Sequence, residues 1–277
     1  MTWAALEAAL GLRVEGTTAV AGGSINDCYR VVTSAGPIFV KTHADPPAGF
    51  FAAEADGLAR LAQAGVRVPE VLGVADGWLA LAWLEPGPPR FEEAGRALAH
   101  LHQCRGERHG LQRDNFMGAV PQHNAGHAAP AQSFAAFFRS WRIEPLVGAL
   151  PARLRVRVDA LDLEAILVPP VDGPRLVHGD LWSGNLLHAA IGPTFIDPAV
   201  HYGNPEQDLA MTRLFGGFPP AFEAAWRDAM GLARHPDQEF SRRVATLNLY
   251  PLLVHVRLFG GGYVRSLEAA LDAIERP

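Results

Sequence analysis

Apolar positions along the chain change their period at residues 85–89. Before that point, short apolar runs alternate with glycine-containing turns and predict strands. Beyond it, stripes at helical spacing dominate. A short amphipathic helix is predicted near Thr2 to Leu10, followed by two apolar stretches around the turn Gly22-Gly23-Ser24 within Val20 to Val32. Pro37 to Lys41 reads as a strand, and Phe50 to Ala62 reads as a helix with Phe51, Leu58 and Leu61 near one stripe. Val68 to Val74 and Trp78 to Leu84 are two further strands around Ala75-Asp76-Gly77. Glu85-Pro86-Gly87-Pro88-Pro89 then breaks regular structure and is the hinge candidate.

After the hinge, Glu92 to His102 carries Ala94, Leu98 and Leu101 on one stripe, and Phe134 to Trp141 carries aromatics at helical spacing. Both predict core packing. Asp114 to Asn124 is too irregular for either period, which leaves a substrate-side loop and a capped connection equally open. Residues 125–132, rich in Ala with Gly and Pro, read as a flexible surface segment. Leu186-Leu187-His188 and Thr194-Phe195-Ile196, separated by a stretch containing Gly192-Pro193, predict a hairpin. The expected organisation is a first segment over 1–85, sheet plus helix, and a second over 86–277, mainly helical.

Composition narrows the function classes. With 277 residues, 49% of them hydrophobic, the chain can bury a sizeable core. A net charge of −5 without any basic block excludes nucleic acid as the expected partner. The start Met1-Thr2-Trp3-Ala4-Ala5-Leu6-Glu7 lacks the basic beginning and apolar core of a signal peptide, and the run Trp78 to Leu84 is too short to span a bilayer. The expectation is therefore cytoplasmic, with no membrane. Cys28 and Cys104 make neither a disulfide framework nor a metal-ligand cluster, and are expected as packed thiols.

The strongest chemical signal is His178-Gly179-Asp180-Leu181-Trp182-Ser183-Gly184-Asn185, followed by Asp197 after Thr194-Phe195-Ile196. A kinase-like phosphotransferase carries a His-x-Asp loop whose Asp handles the acceptor hydroxyl, an Asn five residues on at the metal, and a further metal-binding Asp. The hairpin supports the same reading independently. Asn185 enters its first strand where Asp197 leaves the second, and paired strands lie about 5 Å apart. Two hard oxygens can therefore converge on one Mg²⁺.

Among 24 basic residues Lys41 is the only lysine. A chain that uses Arg wherever either cation serves has reason to keep a compact ammonium at this position. Lys41 ends a strand where a phosphate-binding lysine would sit. Glu54 falls on the apolar stripe of its helix, and a carboxylate facing a core needs a partner. Lys41 is the natural one; the stripe's edge, with access to water, is the alternative. The glycine turn Gly22-Gly23-Ser24 can bring backbone N–H groups close to phosphates, and Leu84 before the hinge would meet adenine.

These segments resemble the fructosamine kinase family, a branch of the kinase-like fold near aminoglycoside phosphotransferases and choline kinases. The similarity runs through Gly22 to Asn26, Phe39 to Lys41, Asp114 to Gly118, His178 to Asn185, Ile196 to Ala199, Asp208 to Thr212, Leu214 to Phe218 and Leu258 to Tyr263. It implies an α+β, two-lobed protein-kinase-like fold with a small antiparallel-sheet N-lobe and a larger, mainly helical C-lobe. It also implies ATP and Mg²⁺ as cofactors, and transfer to the 3-hydroxyl of a ketosamine, free or on a glycated protein, leading to deglycation. Asp180 is then the base, Asn185 and Asp197 hold the metal, and Lys41 set by Glu54 grips phosphates. His178 and Asp208 brace the loop, and Trp182 forms a wall for the sugar. Where the family often shows Tyr and His, this chain has His201 and Asn204, so His201 is expected beside the sugar. Two other readings stand next to this one: a small-molecule hydroxyl kinase of the aminoglycoside or choline type, and an inactive nucleotide-binding module.

Overall fold

The structure is a computed structural model that describes residues 3–21, 25–124, 133–233 and 239–276. The chain packs as two compact units, Met1–Arg90 with Gly184–Pro198, and Phe91–Ser183 with Ala199–Pro277. Residues 184–198, which a single division at 85/86 assigns to the second segment, thus pack with the first.

The first unit begins with α1 (Trp3–Leu10), β1 (Val14–Ala19), β2 (Asp27–Thr33), β3 (Gly36–Thr42), α2 (Phe50–Gln63), β4 (Val71–Ala75) and β5 (Trp78–Ala82). Its strands form an antiparallel sheet in the order β1-β2-β3-β5-β4. Val31, Ile38, Val40, Trp78 and Ala80 form a buried cluster with Leu6 of α1. A buried leucine contributes about 1.5–3 kcal/mol relative to exposure, which ties a helix too short to be stable alone to the sheet. Strand alternation sends Lys41 and Leu79 to the opposite face. There α2 buries Phe51, Leu58 and Leu61. With both faces of β5 covered, Trp78 to Leu81 is apolar throughout.

The second unit continues with α3 (Phe91–Leu101), β6 (Asn115–Met117), β7 (Val120–Gln122), α4 (Phe134–Phe138), α5 (Glu144–Val147), α6 (Ala152–Asp159), α7 (Leu163–Ile166) and β8 (Arg175–Val177). The helix expected over Phe134 to Trp141 stops at Phe138 and widens into a π turn at Arg139–Ile143. That turn buries Arg142, whose guanidinium donates to His123 O and Asn124 Oδ1, each at 2.6 Å. The aperiodic stretch Asp114 to Asn124 is the hairpin β6–β7, joined by polar side chains rather than by an apolar stripe.

At Ser183–Asn185 a 3₁₀ turn leads the chain back into the first unit, where β9 (Leu186–Ala189) and β10 (Gly192–Phe195) form the expected hairpin. The hinge candidate is more ordered than its prolines suggest. Gly87 N donates to His188 O at 2.7 Å and Ala190 N to Glu85 O at 2.8 Å, so 85–87 lies along β9. The chain then returns to the second unit with β11 (His201–Gly203), α8 (Glu206–Leu214), α9 (Pro220–Met230), α10 (Phe240–Leu247), α11 (Leu249–Phe259) and α12 (Gly262–Glu275). β11 pairs with β8. Gly22, Gly23, Ser24 and the segment 125–132 lie outside the described residues. Among the described residues no helix is long and apolar enough to cross a membrane.

Candidate active site

In the first unit, alternation along β3 turns Lys41 toward α2, and the residue is 3% exposed. Its Nζ donates to Glu54 Oε1 at 2.7 Å and is also paired with Asp197 Oδ1. The sequence suggested the first partner; the second comes from the far end of the β9–β10 hairpin. Burial alone would lower the lysine's pKa, but the two carboxylates hold it above its ordinary value. One ammonium between two carboxylates leaves a negative charge in excess. Burial, reinforced by the nearby charge of Asp197, pushes Glu54 up to about 7 against the pull of Lys41.

Asp197 is the only non-glycine among the described residues with a positive φ, 54°. Such a conformation is uncommon for a residue with a Cβ and clusters at functional sites. Ile196 N donates to Asn185 O at 3.1 Å, which pins the two ends of the hairpin together. Asp197's side chain is 39% exposed, whereas Asn185 is 4% exposed. The donor chemistry fits Mg²⁺, which takes one or two protein oxygens and completes its shell with phosphate and water. Among the described residues, no three His, Cys, Asp or Glu side chains converge as a separate metal-binding group. Leu84 is half-buried just beyond β5. Cys28 is paired with Lys41 across β2 and β3, and burial raises its thiol's pKa.

In the second unit, Asp180 is half-buried, and its N–H donates to His178 Nδ1 at 3.3 Å. The loop around it is fixed through its backbone. Asp208, fully buried on α8, accepts from His178 N through Oδ2 and from Gly179 N through Oδ1, both at 2.8 Å. Gly179 has φ of 84°, and a Cβ there would stand 2.2 Å from Ala199 O, so only glycine fits. Burial would raise Asp208, yet its hydrogen bonds, led by that from His102, hold its pKa below the usual carboxylate value.

Two further members were not foreseen. His102 Nε2 lies 2.9 Å from Asp208 Oδ2, and Trp226 Nε1 donates to His102 Nδ1 at 2.8 Å. An indole N–H can only donate. Nδ1 therefore accepts, the ring proton sits on Nε2, and His102 donates to Asp208. In sequence both residues pass for core, since each lies on a helix's apolar side; a histidine directly after the Leu98–Leu101 stripe is the one available signal. The hairpin β6–β7 contributes a second brace. Asn115 Nδ2 donates to Val200 O at 2.9 Å, Gln122 Nε2 to Ala199 O at 3.0 Å, and Ala199 N to His178 O at 2.9 Å. Asp114 to Asn124 is thus a supporting connection for the loop.

Trp182 is half-buried with its ring edge-on to Phe215 at 6.5 Å. His201 departs from expectation. The alternation of β11 turns it inward, it is 1% exposed, and its Nδ1 lies 3.1 Å from Ala199 O. Burial, aided by the charge of Arg142, pushes its pKa down to about 3. A side chain so enclosed is a packing residue and not a wall of a sugar site.

Known proteins resemble this chain along nearly all of it. The fructosamine kinase family model matches residues 3–276. A Thermus thermophilus protein named probable ketoamine kinase is 40% identical over 267 residues, 95% of this chain and 96% of that protein. A crystal structure from Thermobifida fusca, named for fructosamine-3-kinase, superposes with a TM-score of 0.85 at 33% identity, covering 99% and 98% of the two chains. Macrolide 2'-phosphotransferase MphH from Brachybacterium faecium shares the protein-kinase-like fold, with a TM-score of 0.61 at 21% identity over 99% and 97%. Matched from residue 3 to residue 276, the chain belongs to the fructosamine kinase family and is a kinase.

Proposed function

We propose that this kinase transfers the γ-phosphoryl group of ATP to the 3-hydroxyl of a ketosamine, the adduct left when a sugar glycates an amine. Family membership over 3–276, with relatives named for ketoamines, is the observation that carries the acceptor class. Phosphorylation at that position makes the adduct decompose, so the outcome is deglycation of a small amine or a protein lysine, in the cytoplasm.

Asp180 orients the acceptor hydroxyl and takes its proton on a carboxylate oxygen as the new P–O bond forms and the bond to ADP breaks. The braces from Asp208 and from Asn115 and Gln122 keep that carboxylate in place, so little reorganisation accompanies the transfer. Lys41, set by Glu54, would hold phosphate oxygens, with the glycine turn 22–24 above them and Leu84 against adenine. Asn185 and Asp197 would hold Mg²⁺, which neutralises charge on the transferring group. Trp182 would flank the sugar. The first unit, with its hairpin 184–198, would serve the nucleotide and metal, and the second unit the acceptor.

The test is phosphate transfer to synthetic ribulosyl-lysine, erythrulosyl-lysine and fructosyl-lysine, with the product position mapped. Transfer to the 3-hydroxyl is expected, and Asp180→Asn should lower kcat about 10²- to 10⁴-fold with the KM for ATP nearly unchanged. Transfer to choline or an aminoglycoside but to no ketosamine would overturn the acceptor assignment. Near-normal turnover of the folded variant would remove Asp180 from the chemistry.

A further inference from the structure

Five aromatic rings of the second unit touch in series outward from the catalytic loop. Trp182 meets Phe215 at 6.5 Å, Phe215 meets His255 at 5.1 Å, and His255 meets Phe259 at 5.6 Å and Tyr263 at 4.7 Å. The row draws on the loop, the end of α8, and helices α11 and α12. Large apolar side chains are normally withdrawn from water, yet Phe215 and Phe259 are 41% and 47% exposed. The segment bearing Phe215 is held against the loop by a close approach. Gly217 has φ of 90°, and a Cβ on it would lie 2.6 Å from Ser183 Cβ.

His255 determines what the row can bind. Its Nδ1 lies 2.7 Å from Pro251 O, and a carbonyl only accepts, so the ring proton is on Nδ1 and Nε2 presents a lone pair. Burial also pushes its pKa below the ordinary histidine value. The ring therefore adds no positive charge to a row of π faces, which attract cations. A ketosamine carries a secondary amine on C1, two carbons from the hydroxyl to be phosphorylated, and that amine is cationic near neutral pH.

We propose that this ring row is the amine-side part of the acceptor site, with the substituted ammonium over Phe215 and Phe259 and its N–H donated to Nε2 of His255. The inference rests on the ketosamine reading above. It assigns these residues discrimination between amine-linked and neutral acceptors, while the hydroxyl stays with Asp180.

Leucine in place of phenylalanine keeps the apolar bulk and removes the π face, so it separates cation binding from simple packing. The double variant Phe215→Leu/Phe259→Leu is assayed as the full chain with Mg²⁺ and ATP on ribulosyl-lysine and on its ether-linked counterpart, with oxygen replacing the amine. The KM for the amine acceptor should rise roughly fivefold. The kcat, the KM for ATP and the KM of the ether, or its inhibition constant if it turns over poorly, should stay as in the parent. Equal changes for both acceptors, or none, would overturn the proposal. A melting curve checks folding, and the single variant Phe259→Leu, at an exposed ring, should still give a two- to threefold rise confined to the amine. Parent enzyme active on ketosamines with insensitive variants sinks the subsite alone; parent enzyme inactive on every ketosamine sinks the acceptor assignment, and the subsite with it.

Discussion

Asp208 and Glu54 are both carboxylates withdrawn from water, and they differ in their company. Asp208 is surrounded by donors that carry no net charge: two backbone N–H groups and an imidazole whose proton the indole of Trp226 has directed toward it. Glu54 shares the Lys41 ammonium with a second carboxylate, Asp197, which lies 156 residues from that lysine along the chain. In the first arrangement every partner is fixed by the fold, and nothing can be exchanged without breaking the backbone of the loop. In the second, the partners are side chains alone, and two carboxylates face a single ammonium. The difference separates a brace from the charge cluster proposed above to hold phosphate and metal.

Removing the brace should have the largest effect. Asp208→Ala leaves two backbone donors and His102 without their acceptor, and at about 1–3 kcal/mol for each stranded donor should cost roughly 3–5 kcal/mol or more, read from urea unfolding. A loss under 1 kcal/mol would mean that the loop does not depend on Asp208. Intrinsic tryptophan fluorescence, to which Trp182 on the loop and Trp226 beside His102 both contribute, should shift in the same variant.

A second test uses acid. His201, pushed down to about 3, stays unprotonated in the folded state while the unfolded chain takes up a proton at about 6.5. Its contribution is therefore fully present above pH 6.5 and is lost progressively as pH falls from there toward 3, amounting to about 2 kcal/mol by pH 5. His109, pushed down to about 4 by burial, acts in the same direction. Denaturant titrations at a series of pH values should show this slope, and His201→Tyr should flatten it. An unchanged slope in the variant would assign the acid sensitivity elsewhere.

Glu54→Gln should have the smallest effect on stability. It removes the excess charge, so unfolding should shift by less than about 1 kcal/mol. The KM for ATP should rise about tenfold, the equivalent of one hydrogen bond to a charged group. A large stability loss with an unaltered KM would make Glu54 a brace like Asp208 and abolish the distinction.

The same contrast explains what the sequence could reveal. Lys41 and Glu54 were legible because each violates a local rule: a lone lysine in an Arg-rich chain, and a carboxylate on an apolar stripe. The His178–Asn185 loop and the hairpin after it were legible from spacing, as were α2 and α3 from period. Asp197's pairing with Lys41 was not, because long-range contacts between charged side chains leave no periodic trace. His102 and Trp226 conform to the pattern of ordinary core residues, and β6–β7 has no pattern to read because its polar side chains bond to one another. His201 was expected beside the sugar from the family resemblance alone, and a three-residue strand is too short for the sequence to show that it turns inward.

The discontinuity of the first unit sets an order on the chain's assembly. Residues 1–90 leave the ribosome without the hairpin 184–198 that completes their fold. At about 5–20 residues per second, the hundred or so residues between them take roughly 5–20 s to make. Throughout that interval Lys41 has Glu54 as a partner but not Asp197. The sheet can form early, whereas the charge cluster closes only once about half of the second unit has been synthesised, so a product truncated before the hairpin carries the sheet without Asp197.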